Sequence, residues 1–231
     1  MKITLWKILS KGGFEMENLP ESFLKSLDKV QDMNQKKLIL IRHSDRENIL
    51  PGTLGSDVHI TLEGKEKAFE LGRVLTSLPI EWCKTSPLLR CTQTNDSIGD
   101  GYGKRILHSI SKLLGEPGPF VFDGDQAINA FFDYGPEAVV REMIKGQSFP
   151  GIRSSGEGSV ILLKGLIKFL EEGTGDGICI SHDSILMPFI AHYCGEQFNG
   201  KWIKPLDGVV LVKQENAYAL WWDGQMYKVV V

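Results

Sequence analysis

The stretch "KKLILIRHSDREN", Lys36 to Asn48, sets an unbroken apolar run, Leu38 to Ile41, directly against Arg42, His43, Ser44, Asp45 and Arg46. A strand with one solvated face would alternate apolar and polar residues. A continuous run instead predicts a strand covered on both sides, as in a parallel sheet flanked by helices. The polar cluster then falls at the strand's carboxyl end, which in open α/β sheets is the edge where ligands bind. The same pattern recurs in "DGICISHDS", where His182 and Asp183 follow a second apolar run.

Between and around these two strands the chain repeats a βαβ rhythm. "HITLEGKEKAFELGRVLTSL" predicts a helix with Thr61 as N-cap, Glu63 in the first turn, and Leu62, Ala68, Leu71, Leu75 and Leu78 at helical spacing. "PIEWCKTSPLLRCTQTND" predicts a strand over Ile80 to Thr85, then a helix with Ser86 as N-cap, Pro87 at the first position and Arg90 one turn inside. "GSVILLKGLIKFLEEG" predicts a helix closed by Gly173, and "SILMPFIAHYCG" one closed by Gly195. The last segment, "GVVLVKQENAYALWWDGQMYKVVV", alternates and turns at Glu215-Asn216 and Asp223-Gly224, which predicts two or three antiparallel edge strands. The expected fold is a three-layer α/β sandwich: a mainly parallel central sheet, helices on both faces, and an antiparallel C-terminal edge. Residues 1–36 are expected to be an N-terminal accessory segment with a helix burying Phe23, Leu24, Leu27 and Val30. Residues 37–231 are expected to form the main domain, with a Gly-, Pro- and aromatic-rich insertion over about 99–151 that faces the substrate.

Composition narrows the function. Net charge is -3 with 42% hydrophobic and 24% charged residues, so no global field attracts nucleic acid or anionic membrane, and any anion site is local. No apolar run reaches the ~18 residues of a membrane span, and "MKITLWKILSKGG" is too short in its apolar part for a secretory signal, so a cytoplasmic protein is expected. Cys83, Cys91, Cys179 and Cys194 show neither a CxxC pair nor metal-ligand spacing and are expected to be reduced and mostly buried.

His43 and His182 occupy equivalent strand ends, joined by Arg42, Arg46 and Arg90. Guanidinium groups hold phosphate oxygens through paired, charge-assisted hydrogen bonds, and three of them gathered without an anion would carry uncompensated charge. The ligand that suits this set is a phosphate group.

"LILIRHSDR", "TLEGKEKAFELG", "TSPLLRCTQT" and "ICISHDSIL" resemble, in order and spacing, the motifs of the histidine phosphatase superfamily, over roughly residues 36 to 230. The resemblance implies that His43 is the nucleophile that becomes phosphohistidine, that Arg42, Arg46 and Arg90 grip the phosphoryl group, and that His182 completes the pocket. The His182-Asp183 pair is similar to the acid phosphatase branch, which implies that Asp183 is the proton donor. The chain length is nearer the phosphoglycerate mutase-like branch, whose acid is a glutamate from mid-chain, leaving Glu116, Asp123 and Asp125 as alternatives. Ser44 stands where the family usually has glycine.

The implied reaction is metal-independent hydrolysis, without a cofactor, of a small-molecule phosphate ester, with no nucleic-acid or membrane partner and the oligomeric state left open. A phosphomutase and an inactive phospholigand-binding module are the alternatives. Three other patterns carry less. "PFVFDGDQA" places Asp123 and Asp125 like the paired aspartates of magnesium-dependent haloacid dehalogenase-like phosphatases, but Ala127 replaces the usual Thr or Val. No cysteine has an arginine six places on, as a cysteine-dependent phosphatase requires. "GDGYG", residues 99–103, lacks the Gly-Lys-Ser/Thr ending of a nucleotide-binding loop. Phe131, Phe132, Tyr134, Lys104, Arg105 and Arg141 are candidates for substrate contact from the insertion.

Overall fold

A computed structural model describes residues 18–229 except 51, 54 and 216. Its centre is a seven-stranded sheet. The strands are β1 (Lys37–Arg42), β2 (Ile80–Thr85), β3 (His108–Ile110), β4 (Asp176–Ser181), β5 (Gly208–Lys213), β6 (Tyr218–Trp222) and β7 (Gln225–Val229). They lie in the order β3-β2-β4-β1-β5-β6-β7. β3, β2, β4 and β1 run parallel, and β5, β6 and β7 continue antiparallel from β1. The described helices are α1 (Glu21–Val30), α2 (Leu62–Leu75), α3 (Leu89–Tyr102), α4 (Gly124–Tyr134), α5 (Pro136–Ile144), α6 (Ser155–Glu172) and α7 (Asp183–Cys194).

The continuous apolar run of β1 is explained by two cores. Ile39 and Ile41, with Ile178, Ile180, Val210 and Val212, face a layer built from α1, α2 and α3. Leu38 and Leu40, with Cys179, Val209 and Leu211, face a layer built from α4 to α7. Successive side chains thus enter opposite cores, and every residue from Leu38 to Ile41 is fully buried.

α1 buries Phe23, Leu24, Leu27 and Val30 as its sequence predicts and packs on β5 and β6. Residues 1–17 of the expected accessory segment lie outside the described residues, as does Asn216 of the expected turn. All four cysteines are free and buried. Among the described residues no helix is long and apolar enough to cross a membrane.

Several expectations change. The helix after β2 begins at Leu89 with Leu88 as N-cap, so Ser86 and Pro87 precede it. The Ser86 hydroxyl instead contacts Nε2 of His182 at 2.8 Å, a partner that competes with capping. Leu62 is 73% exposed and belongs to no core. The stretch 99–151 is not a single excursion: it holds the end of α3, then β3, which extends the sheet beside β2, and α4 and α5, whose Ala127, Ala130, Val139, Val140 and Met143 join the main core.

Candidate active site

Strand register assembles the site. In the parallel pairing of β1 with β4, Arg42 lies opposite Ser181, so the next residues of the two strands, His43 and His182, emerge side by side. Their ring centroids are 5.3 Å apart. β2 runs on the other flank of β4, and Thr85 pairs with Ile180, bringing Ser86 and the start of α3 to the same edge.

Arg90, buried in the first turn of α3, joins the two rings. Its Nε donates to His43 Nε2 at 3.1 Å, its Nη2 lies 3.3 Å from His182 Nδ1, and its Nη1 donates to the Gly55 carbonyl at 2.6 Å. His43 Nδ1 lies 2.7 Å from the Ser44 carbonyl, which can only accept, so the proton of the neutral ring sits on Nδ1 and Nε2 keeps its lone pair. His182 takes the opposite tautomer, with Nδ1 facing the Arg90 donor and Nε2–H on Ser86. Burial is the largest cause that holds His43 well below the ordinary imidazole range, followed by the charges of His182, Arg90 and Arg42. Burial and then Arg90 bring His182 down to about 3. Both rings are neutral at neutral pH, and one presents a buried nitrogen lone pair.

Arg42 is anchored at both ends of its fork. Nη1 donates to the Ile203 carbonyl at 2.6 Å, and Nη2 pairs with Asp183 Oδ2 at 2.7 Å. Its Nε is buried with no hydrogen-bond partner among the described residues. Asp183 also accepts from Trp202 Nε1 at 2.9 Å and from the Ser184 amide at 2.8 Å. Burial acts to raise its pKa, but Arg42, Trp202 and Ser184 together outweigh that and hold the carboxyl below its usual range. Asp183 is therefore an anion locked onto Arg42. Arg46 is half-buried, donates to the Glu47 carbonyl and lines the same cavity.

Ser44 does not crowd the pocket. Its hydroxyl donates away from the cavity to the Gly64 carbonyl at 2.7 Å, its amide donates to Thr94 Oγ1, and its backbone stays out of the left-handed region. The contact requires glycine at 64, because a Cβ there would lie 2.3 Å from the Asp45 carbonyl oxygen. Gly115 is equally constrained: a Cβ would stand 2.6 Å from Ser86 Oγ and 2.7 Å from His182 Nε2. Glu116 follows it at the mouth, with φ 59°, exposed and 3.5 Å from Ser56 Oγ.

A cavity of about 480 Å³ opens above these groups, lined by Arg42, His43, Arg46, Arg90, Glu116, His182, Asp183 and Trp202 together with a set of apolar side chains. Every residue expected to bind phosphate is on its lining. Of the other candidates, Glu116 and Phe131 line it, and Arg141 stacks over the Trp202 ring at 5.0 Å. Phe132 and Tyr134 are exposed and off the lining, while Lys104 and Arg105 line a different surface pocket beside α3. Asp123 caps α4 by accepting from the amides of Asp125 and Gln126, so the Asp123-Gly124-Asp125 pattern is a helix start. Ser86, Gly115 and Trp202 are site residues the sequence reading did not single out.

Residues 38–116 match the family model of the histidine phosphatase superfamily (branch 1). No functionally curated protein matches the sequence. Solved structures share the fold at low identity. A mycobacterial glucosyl-3-phosphoglycerate phosphatase is 15% identical with a TM-score of 0.52, over 78% of this chain and 91% of that one. A phosphoglycerate mutase from Bacillus anthracis is 16% identical with a TM-score of 0.53, over 87% and 94%. A phosphoserine phosphatase mutant from Entamoeba histolytica is 20% identical with a TM-score of 0.52, over 80% and 94%. The chain is similar to the histidine phosphatase superfamily (branch 1) from β1 through Arg90 to Glu116, and the fold shared with these solved structures extends over most of the described chain.

Proposed function

We propose that the protein is a metal-independent phosphomonoesterase that hydrolyses a small phosphate ester in the cytoplasm through phosphorylated His43. The observation that carries this reading is the neutral, buried His43 with its Nε2 lone pair held by Arg90 inside a cavity that also presents Arg42, Arg46 and His182. An imidazole already neutral needs no separate base. When a phosphate enters, the Arg90 N–H groups that serve the two imidazoles turn to the phosphoryl oxygens, as does the unpartnered Nε–H of Arg42, and the lone pair of His43 faces phosphorus. Charge neutralisation and positioning then supply most of the rate.

The leaving alkoxide needs a proton. The sequence expectation gives that task to Asp183, but a carboxylate held ionised by Arg42 accepts protons rather than donating them. Among the described residues Glu116 has no such ion pair, and it lines the cavity directly after Gly115, where any Cβ would meet His182. We therefore assign proton transfer to Glu116, which gives its proton to the departing alkoxide and takes one back from the water that then displaces His43 from phosphorus, and the orientation of Arg42 to Asp183.

The test is phosphate release from an aryl phosphate in the presence of a chelator. Vanadate-sensitive release abolished in His43→Ala supports the reading. Tight phosphate binding with no turnover of any ester indicates a binding module instead, and strong stimulation by a bisphosphate indicates a mutase.

A further inference from the structure

The lining of the cavity divides by chemistry. Charged groups surround His43 and His182, with Arg90 hydrogen-bonded to both rings and Arg42 paired with Asp183. An apolar wall comes from a different part of the fold: Phe120, Phe131, Val140, Met143, Ile152 and Ile185, contributed by the segment before α4, by α4 and α5, by the turn before α6, and by α7. Phe120, Val140, Met143, Ile152 and Ile185 are buried members of the hydrophobic core on that sheet face, and Phe131 packs against it. This wall is therefore part of a packed core and pre-formed. Among polar side chains on the lining, Glu137 is gripped by Arg141 at 2.8 Å and Ser56 reaches Glu116 at 3.5 Å.

We propose that the substrate is a phosphomonoester of a predominantly hydrocarbon alcohol or phenol, its phosphate among the arginines and its apolar leaving group against Phe120, Phe131, Val140, Met143, Ile152 and Ile185. The inference rests on the phosphatase reading above. Inorganic phosphate alone would occupy a small part of a cavity of about 480 Å³, whose size is that of pockets enclosing whole organic ligands. A sugar or amino-acid leaving group would lose water from hydroxyl or ammonium groups against this wall without regaining hydrogen bonds. A hydrocarbon group loses nothing of the kind, and each methylene buried there adds roughly fourfold in affinity.

Calorimetric binding of ethyl-, butyl-, hexyl- and octylphosphonate to the full chain tests this without any requirement for turnover. Affinity should rise about two hundredfold from butyl to octyl, with a heat-capacity change that grows more negative along the series. Phe131→Ala and Met143→Ala should each cut the octyl-to-ethyl affinity ratio about tenfold. A flat series, or phosphoserine or glycerol phosphate binding more tightly than octylphosphonate, overturns the proposal. Hydrolysis is read separately by phosphate release, so the two ideas fail separately. A flat series with phosphate release removes the apolar leaving group and keeps the phosphatase, whereas a rising series with no ester hydrolysed removes the phosphatase and with it the substrate assignment.

Discussion

Arg90 donates through Nε to Nε2 of His43 at 3.1 Å, and the same guanidinium places Nη2 3.3 Å from Nδ1 of His182, so one side chain fixes both imidazoles in opposite neutral tautomers. Arg90→Ala removes that donor and, in the proposed reaction, one phosphate contact together. We expect kcat/KM for an aryl phosphate to fall about 10³-fold, on the scale of losing a central oxyanion donor. A lysine places one compact charge and cannot reach both rings in the same plane, so Arg90→Lys should recover little. Recovery by lysine to within about threefold of the native enzyme would show that charge alone matters there.

The proposed division of labour between Glu116 and Asp183 is read through the leaving group. An alkyl alkoxide requires a proton as it departs, whereas nitrophenolate leaves without one. Glu116→Gln should slow alkyl phosphates roughly 10²- to 10⁴-fold while sparing the initial burst of nitrophenolate. Asp183→Asn frees Arg42 from its 2.7 Å partner and should slow both esters alike. Selective loss of the alkyl ester in Asp183→Asn, with Glu116→Gln unaffected, would return the acid role to Asp183.

Stability should depend on pH through buried groups. His182 titrates at about 3 in the folded chain and near 6.5 unfolded, so between those values the unfolded chain holds a proton that the folded chain lacks. Stability is thus present above about pH 6.5 and is lost as pH falls through that window, by up to about 1.4 kcal/mol per pH unit for each such group. His43 acts in the same direction. Asp207 acts oppositely: burial lifts it to about 6, despite hydrogen bonds from Ser22 and the Gly208 amide, and its contribution is present below the unfolded value of about 3.9 and lost as pH rises through 6. Asp207→Asn should therefore raise the melting temperature at pH 8 and steepen the loss of stability between pH 6 and 4. Thermal unfolding at pH 8, 6, 5 and 4 measures both, and a less stable variant at pH 8 contradicts the assignment.

The strands that carry the histidines were legible because burial on two faces leaves an unbroken apolar run and their site-facing ends are abruptly polar. Thr61 was legible because capping is local: its hydroxyl accepts from the Gly64 amide, three residues on. Ser86 was misread for the converse reason, since its serine-proline signal describes a helix start while its actual partner, His182, is 96 positions away. β3 has only three residues, too few to show alternation, and α4 and α5 were hidden by glycines, prolines and aromatics that suggested loop. Trp202 has no local signal at all, because its link to Asp183 exists only once the chain after α7 returns over the site. The same limit applied to Ser44, where the direction of one hydroxyl decides whether the residue obstructs the pocket.

The most direct test of the central claim is to quench the enzyme with strong base during turnover of a ³²P-labelled phosphate ester and locate the label. A base-stable, acid-labile phosphoryl group on His43, absent from His43→Ala, is the predicted result. Phosphate release without label on His43, or an acid-stable label on Asp123 with turnover that requires magnesium, would contradict it.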